Sequence, residues 1–439
     1  KDDTVLPGGL FKSELANGVS RTDSTRPGNF AEVEEYYVQG GPEFYFGRDN
    51  IFKIDGSFRN RESDSFASGS WGKFMGNTEI DTVAVSPQVV VKVNSGGIEN
   101  TLTVGYDYQN IEEAILNDSI FFGDPSLGDA DLEREQHGVY VYDELLLGSR
   151  LTLSGGYRRD RADFDFKSLK EEVVFGVPQP PDLTVTDTTT RESAVTGGFN
   201  YRYGERSYAY LGASKGFRYP LFDEFFNFGP NTLDENLKPQ KTKSYEVGLR
   251  QYFSENSYVH LNLFQLDTEE EIFFNPSAFA NENLDGKTRR AGAELSFTAQ
   301  PAKRLAVNGS YTYLDTEIED GSYHGSEIPD VPNHKATLGA TIDLGRGVTL
   351  ALTGIYIGER PFVSDFPNDF EDQDDYVVLN AKLKYEWKQL GAFVDVRNLT
   401  GNDYAEYGVI GFRPSDFALE EAFYPSPKVN VLFGVSATF

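Results

Sequence analysis

Four groupings in the sequence hold residue types that do chemistry elsewhere. Gly212-Ala-Ser-Lys-Gly216 has the G-x-S-x-G spacing of an esterase nucleophile, a serine on a sharp strand-to-helix bend served by a histidine. The residues that follow, Phe217-Arg-Tyr-Pro220, carry no helical periodicity, so the bend is not encoded. Gly286-Lys-Thr288 ends like a phosphate loop, but the glycine that should open the pattern is Asn281. His137, His260, His324 and His334 are dispersed without ligand spacing and the chain has no cysteine, which leaves zinc no donor set. The segment 365–375 holds Asp365, Asp369, Glu371, Asp372, Asp374 and Asp375, enough oxygens for Ca²⁺. Asp365, Asp369, Asp372 and Asp374 are the candidate ligands, but the EF-hand order is missing, and a solvated acidic loop is the plainer reading. These motifs do not make an enzyme, and no cofactor is expected.

Binding is the remaining chemistry. Arg218, Tyr219, Phe222, Phe225, Phe226, Arg360 and Phe362 fall in long connecting segments and could line a solute pocket of apolar walls with a few directional donors. The alternative for the same residues is packing of loop against loop. Forty basic residues against 69 acidic ones give a net charge of −29, which opposes a nucleic-acid partner because phosphate binding needs clustered Lys and Arg.

The elements that must position these residues are strands. Val429, Val431, Phe433, Val435, Ala437 and Phe439 share one face of a final strand, with Lys428, Asn430, Gly434, Ser436 and Thr438 on the other. Val377, Leu379, Ala381, Leu383, Tyr385 and Trp387 likewise oppose Asn380, Lys382, Lys384, Glu386 and Lys388. Seventeen such strands, of about 11 to 17 residues, can be traced by their two-residue alternation. No apolar run reaches the roughly 18 residues of a helical membrane span.

A soluble sandwich alternates too, and the connections arbitrate. Short turns are expected near Arg48, Ser95–Gly97, Gly148, Gly204, Ser254–Asn256, Pro301, Gly345–Arg346 and Gln389. Long polar segments are expected at 64–78, 114–132, 167–186, 217–240, 275–286, 318–332, 360–375 and 405–427. Strict alternation of short and long connections is the mark of a transmembrane antiparallel β-barrel, with tight periplasmic turns and long external loops. Tyr157, Tyr203, Tyr252, Phe253, Tyr356 and Trp387 are candidates for its interfacial aromatic girdles. Inward charges such as Glu246, Arg250, Lys382, Lys384 and Glu386 would face the lumen.

The segment Ala213-Ser-Lys-Gly-Phe-Arg-Tyr-Pro220, with Asn236-Leu-Lys-Pro239 and Lys243-Ser-Tyr-Glu-Val-Gly-Leu249, resembles the barrel of TonB-dependent outer-membrane receptors. Gly138-Val-Tyr-Val-Tyr-Asp-Glu144, Arg290-Ala-Gly-Ala-Glu-Leu295, Val331-Pro-Asn-His-Lys335 and Val396-Arg-Asn-Leu-Thr400 are similar to further family segments, in order, and Phe439 resembles the family's terminal assembly signal. The resemblance implies an all-β barrel of the about 22-stranded, plugged type. About seventeen of those strands would be represented in residues 1–439, with the plug and first strands upstream of Lys1. It further implies location in the bacterial outer membrane, contact with lipopolysaccharide, and receptor-mediated transport of a scarce nutrient, most often a ferric siderophore or similar metal chelate. Energy would come from the TonB complex through a plug not contained in these residues. A passive porin, or a surface adhesion barrel, is the competing expectation.

Overall fold

The structure, a computed structural model, describes all residues except 1, 7, 70, 71, 276, 277, 414, 417 and 439, so the expected terminal signal at Phe439 lies outside the described residues. One twenty-stranded sheet dominates it. Two of its members, Asp2–Val5 and Val177–Pro178, are short additions, and Phe30–Gly40 with Glu43–Phe46 is a single pass interrupted at Gly41-Pro42. Seventeen passes remain, each antiparallel to the next in chain order.

The short turns fall where the alternation places them. Lys335–Ile357 illustrates one: Arg346 and Gly347 both take positive φ, the conformation that lets a two-residue turn follow the right-handed strand twist. On the far side of the sheet the expectation needs correction. The described residues of 64–78, and the segments 114–132 and 167–186, are for the most part not loops but continuations of strands, in Asn50–Gly69, Gly72–Ser95, Ile98–Phe121, Asp124–Leu147, Leu151–Val174 and Asp182–Arg202. These strands run 20 to 24 residues and not 11 to 17. The remaining long segments are loops with small elements of their own, among them the helix Phe222–Phe225 and the hairpin Ala405–Phe412 with Leu419–Pro425.

Register ties the faces together. Ile342, Leu350, Leu383, Val394 and Phe433 are successive partners on five strands and form one apolar row on the outward face. Large hydrophobic side chains stay exposed along it, Phe433 at 79%. The neighbouring inward row pairs Lys382 with Asp395, and the Lys382 ammonium lies 4.5 Å above the Phe393 ring. An apolar outer face and a charged inner face, joined by strands, satisfy the backbone and suit a lipid surround.

At the top of the apolar band Tyr106 and His137 meet, the phenol oxygen 2.6 Å from Nδ1, and Tyr311 and His334 repeat the pair at 2.8 Å. Tyr157 and Tyr356 share that outward face, and Trp387 the outward face near the short turns. Tyr252 departs from the girdle expectation. It has the parity of Arg250, and its ring tilts onto Tyr258 at 5.2 Å, on the inward face.

Candidate functional site

Above the girdle the tall strands exchange their faces. Asn60, Asp81, Glu112, Glu133, Asp165 and Asp187 form one register row across six strands, on the same side as the apolar band below. On three of these strands, Ile98–Phe121, Asp124–Leu147 and Leu151–Val174, the inward side of the same stretch carries an apolar set: Ile115, Ala130, Leu132, Ala162, Phe164 and Phe166 are all buried. Charged side chains face outward here because that face has left the hydrocarbon, and apolar ones face inward because something covers them.

The cover is the loop 217–239. Tyr219, Phe222, Phe225, Phe226 and Leu237 complete one hydrophobic cluster with those strand residues. Phe225, 1% exposed, meets Phe166 at 4.9 Å and Phe164 at 5.5 Å between ring centres. A polar peg fixes the outer end of the loop. Asn117 Nδ2 donates to the Phe228 carbonyl at 2.8 Å and to Asn231 Oδ1 at 2.6 Å, and Asn231 Nδ2 donates to Ser126 Oγ at 2.9 Å. The approach is close enough that a Cβ on Gly128 would stand 2.6 Å from Asn231 Oδ1. Sequence reasoning missed Asn117 and Asn231; the only signal was the turn-forming Gly229-Pro230-Asn231.

The seven candidate binding residues fall into two groups. Arg218 makes a bidentate contact with Glu224, Nη1 to Oε2 at 2.7 Å and Nη2 to Oε1 at 2.9 Å, and its side chain keeps 41% of its surface. Tyr219, Phe222, Phe225 and Phe226 are buried beside it in the loop's packing. Arg360 and Phe362 stand apart, in a second assembly on the shorter strands. Arg360 is buried, donates to Asp330 Oδ1 at 3.1 Å and to the Glu406 carbonyl at 2.9 Å, and so ties three loops together. Phe362 stacks edge-on to Phe423 at 5.3 Å. The sheet thus brings six of the seven into two packed clusters and leaves Arg218 the most accessible.

Two buried carboxyls respond to this packing. Glu113 is inward on the stretch above the girdle, and burial, reinforced by the Asp223 carboxylate and opposed by Arg61, raises its pKa to about 7. Asp365, a calcium candidate, is buried and accepts the amides of Asp369 at 3.0 Å and Phe370 at 3.1 Å; desolvation holds its carboxyl above the ordinary range. Its oxygens therefore serve a turn. Among the described residues no group of three or more His, Asp or Glu is disposed to hold a metal ion. Of the histidines, His137 and His334 face outward at the girdle, His260 lies inward 3.3 Å from the Tyr210 hydroxyl, and His324 meets the Glu319 carbonyl in a loop. Ser214 of the G-x-S-x-G segment lies inside a regular strand, Tyr208–Arg218, four residues before its end, and not at a strand-to-helix bend.

A sheet with an apolar outward belt, a charged lumen and packed external loops is an outer-membrane β-barrel. The chain belongs to the TonB-dependent receptor-like β-barrel family, whose model matches residues 8–399. Among curated relatives it is 26% identical over 368 residues to the ferrichrome outer membrane transporter/phage receptor of Escherichia coli K12, covering 74% of this chain and 45% of that protein. It is 22% identical over 297 residues to a probable TonB-dependent siderophore receptor, PiuA, of Acinetobacter baumannii, covering 63% of this chain and 38% of that one. Among solved structures it resembles the ferric yersiniabactin uptake receptor FyuA of Yersinia pestis, with a TM-score of 0.77 and 16% identity, over 95% of this chain and 63% of that one. The unliganded ferric citrate transporter FecA gives a TM-score of 0.77 and 18% identity, over 99% and 66%. The chain spans less than half the length of these curated relatives.

Proposed function

We propose that these residues are the barrel of a TonB-coupled importer of a ferric siderophore or similar metal chelate. The observation that carries the reading is the inward face: a lumen lined at membrane level by Lys382, Asp395, Arg158 and Asp107 gives a polar solute a path through an apolar belt. The names of the relatives supply the solute class. On this reading a plug and about five further strands of the about 22-stranded, plugged type precede residue 1 in the full-length protein. TonB acts through that plug.

The solute would meet the external loops first. Arg218 is the candidate for direct contact, while Tyr219, Phe222, Phe225, Phe226, Arg360 and Phe362 hold the loops in shape around it. Lipopolysaccharide is the proposed surround. Arg159, Arg161, Arg191, Lys215 and Lys243 share the outward face between the girdle and the acidic row, at the level where its phosphates lie, and guanidinium and ammonium groups suit phosphate.

The test is uptake of ⁵⁵Fe-labelled siderophores by cells with and without the full-length gene, in strains with and without TonB. Loss of uptake of at least one chelate in both deletions supports the reading. Uptake that needs the gene but persists without TonB would make the protein a passive porin, and unchanged uptake in the gene deletion would make it a surface barrel of another purpose.

A further inference from the structure

One inward cation lacks a counter-charge. Arg134 stands above the girdle on Asp124–Leu147, with Ile111 and Phe164 as its register partners, and so points to the lumen side beneath loop 217–239. Its Nη2 donates to Gln109 Oε1 at 3.3 Å, its Nε is buried without a partner, and among the described residues it forms no ion pair. Three other inward arginines of the same sheet are paired: Arg59 with Glu35 at 2.7 Å, Arg158 with Asp160 at 2.7 Å and Arg290 with Glu271 at 2.6 Å. With 69 acidic residues against 40 basic ones, a shortage of carboxylates is not the reason.

The surroundings hold the guanidinium without neutralising it. The rings of Tyr219 and Phe222, both from the loop, have their centres 6.0 Å from its carbon, close enough to orient a cation while leaving its charge. The Tyr219 hydroxyl is a second unspent donor, on a side chain 6% exposed. Asp160 and Glu192, whose charges reach Tyr219, are committed to Arg158 at 2.7 Å and to Lys241 at 3.2 Å, and the remaining Asp160 oxygen makes no hydrogen bond with the Tyr219 hydroxyl. Glu113, diagonal to Arg134 across the strand pair, is held by burial at a pKa of about 7 and supplies only part of a charge at neutral pH. Burial also lowers the Arg134 pKa from its ordinary value, as it does for a cation withdrawn from water. Such a group is costly to keep unless an anion offsets it.

We propose that Arg134 and the Tyr219 hydroxyl form an oxyanion subsite at the lumen mouth, and that the imported solute is an anionic chelate whose carboxylate or phenolate oxygen completes it. This subsite rests on the importer reading and adds to it the charge of the solute. Arg218 meets a solute with its charge already shared with Glu224, whereas Arg134 offers a whole one. Charge-assisted bonds from a guanidinium and a phenol hydroxyl to one oxyanion are short and directional, and a neutral chelate gives the guanidinium nothing to pair with. The aromatic walls that Tyr219 and Phe222 lend it place the subsite under the root of loop 217–239.

The test is calorimetric titration of the full-length protein in amphipol with two probes, ferric citrate, which is anionic, and ferric tris(acetohydroxamate), which is neutral. Ferric citrate should bind and the neutral complex should not displace it. Arg134→Gln should weaken citrate binding about tenfold or more, the size of a lost charge-assisted hydrogen bond, Arg134→Lys should restore part of it, and Arg206→Gln, at a short turn, should leave it unchanged. Because Arg134→Gln removes an unpaired charge, the variant should unfold at no lower a temperature than the wild type, which a purely structural role for Arg134 does not allow. Equal affinity of wild type and Arg134→Gln, the result if an acidic side chain elsewhere in the full-length protein pairs with Arg134, would overturn the proposal, as would binding of the neutral complex alone or of neither chelate. The importer reading fails separately, if ⁵⁵Fe uptake does not need TonB; uptake that needs TonB but serves only a neutral chelate keeps that reading and overturns this subsite.

Discussion

The two walls of the barrel are built to different heights. From Asn50 to Arg202 six strands continue far past the membrane, at 20 to 24 residues each. From Tyr208 to Ala437 the strands have 8 to 15 residues, close to the 9 to 11 that a tilted crossing needs. The tall wall carries its external loop on a prepared apolar inner surface, and the low wall leaves its loops to pack on one another through Arg360, Phe362 and Asp365. The difference shows that the apolar side of a strand marks what covers it. The same strand is apolar outward where lipid covers it and apolar inward where loop 217–239 does.

The largest expected effect separates the two loop assemblies. Phe225→Ala removes a fully enclosed ring and should destabilise docking of loop 217–239 by about 3–5 kcal/mol, read as faster amide exchange at residues 222–237. Phe362→Ala should do the same to 360–375 and leave 217–239 protected; coupled loss of both loops would break the two-assembly picture. Next, Val394→Arg places a charge on the apolar belt and should lower barrel stability by about 2–4 kcal/mol if it sits near the midplane, measured by urea unfolding in bilayers.

Acidity tests the tall wall through Glu113. Because the packed state holds the Glu113 pKa at about 7, above the ordinary 4.5, loop docking is strongest below pH 4.5 and weakens as pH rises through about 7. Glu113→Gln should weaken that dependence, leaving the part due to Asp223, whose carboxyl burial also holds above its ordinary range, and should tighten the loop at pH 8 by an amount on the order of 2 kcal/mol, seen in exchange rates across a pH series. A wild-type loop indifferent to pH would contradict the burial of this carboxyl. The smallest effect is Glu112→Arg, one residue away and outward, which should change stability by no more than about 0.5 kcal/mol.

Much of this was legible from alternation alone. The eight short turns follow from it, and so does the apolar row through Leu383, Val394 and Phe433, because lipid contact forces a two-residue period that nothing interrupts. Residues 114–132 and 167–186 were misread as polar loops for a physical reason. In Arg161-Ala-Asp-Phe-Asp-Phe166 the alternation persists but the apolar residues have moved to the other parity, so a reading that follows one face finds it charged and stops. The aromatic loop residues were recognisable as a group, but not their placement. Whether Phe225 lines a pocket or fills a core depends on Phe164 and Phe166, some sixty residues earlier, and no local pattern links them.

The central claim is that a single outward face passes from lipid to water between Val394's level and Glu112's level. Nitroxide labels at Val394, Asp395 and Glu112 in the full-length protein in bilayers, compared for collision with oxygen and with a water-soluble nickel chelate, test it directly. The account predicts a label in lipid at 394 and labels in water at 395 and 112; equal nickel accessibility at 394 and 395, or a lipid signature at 112, would contradict it.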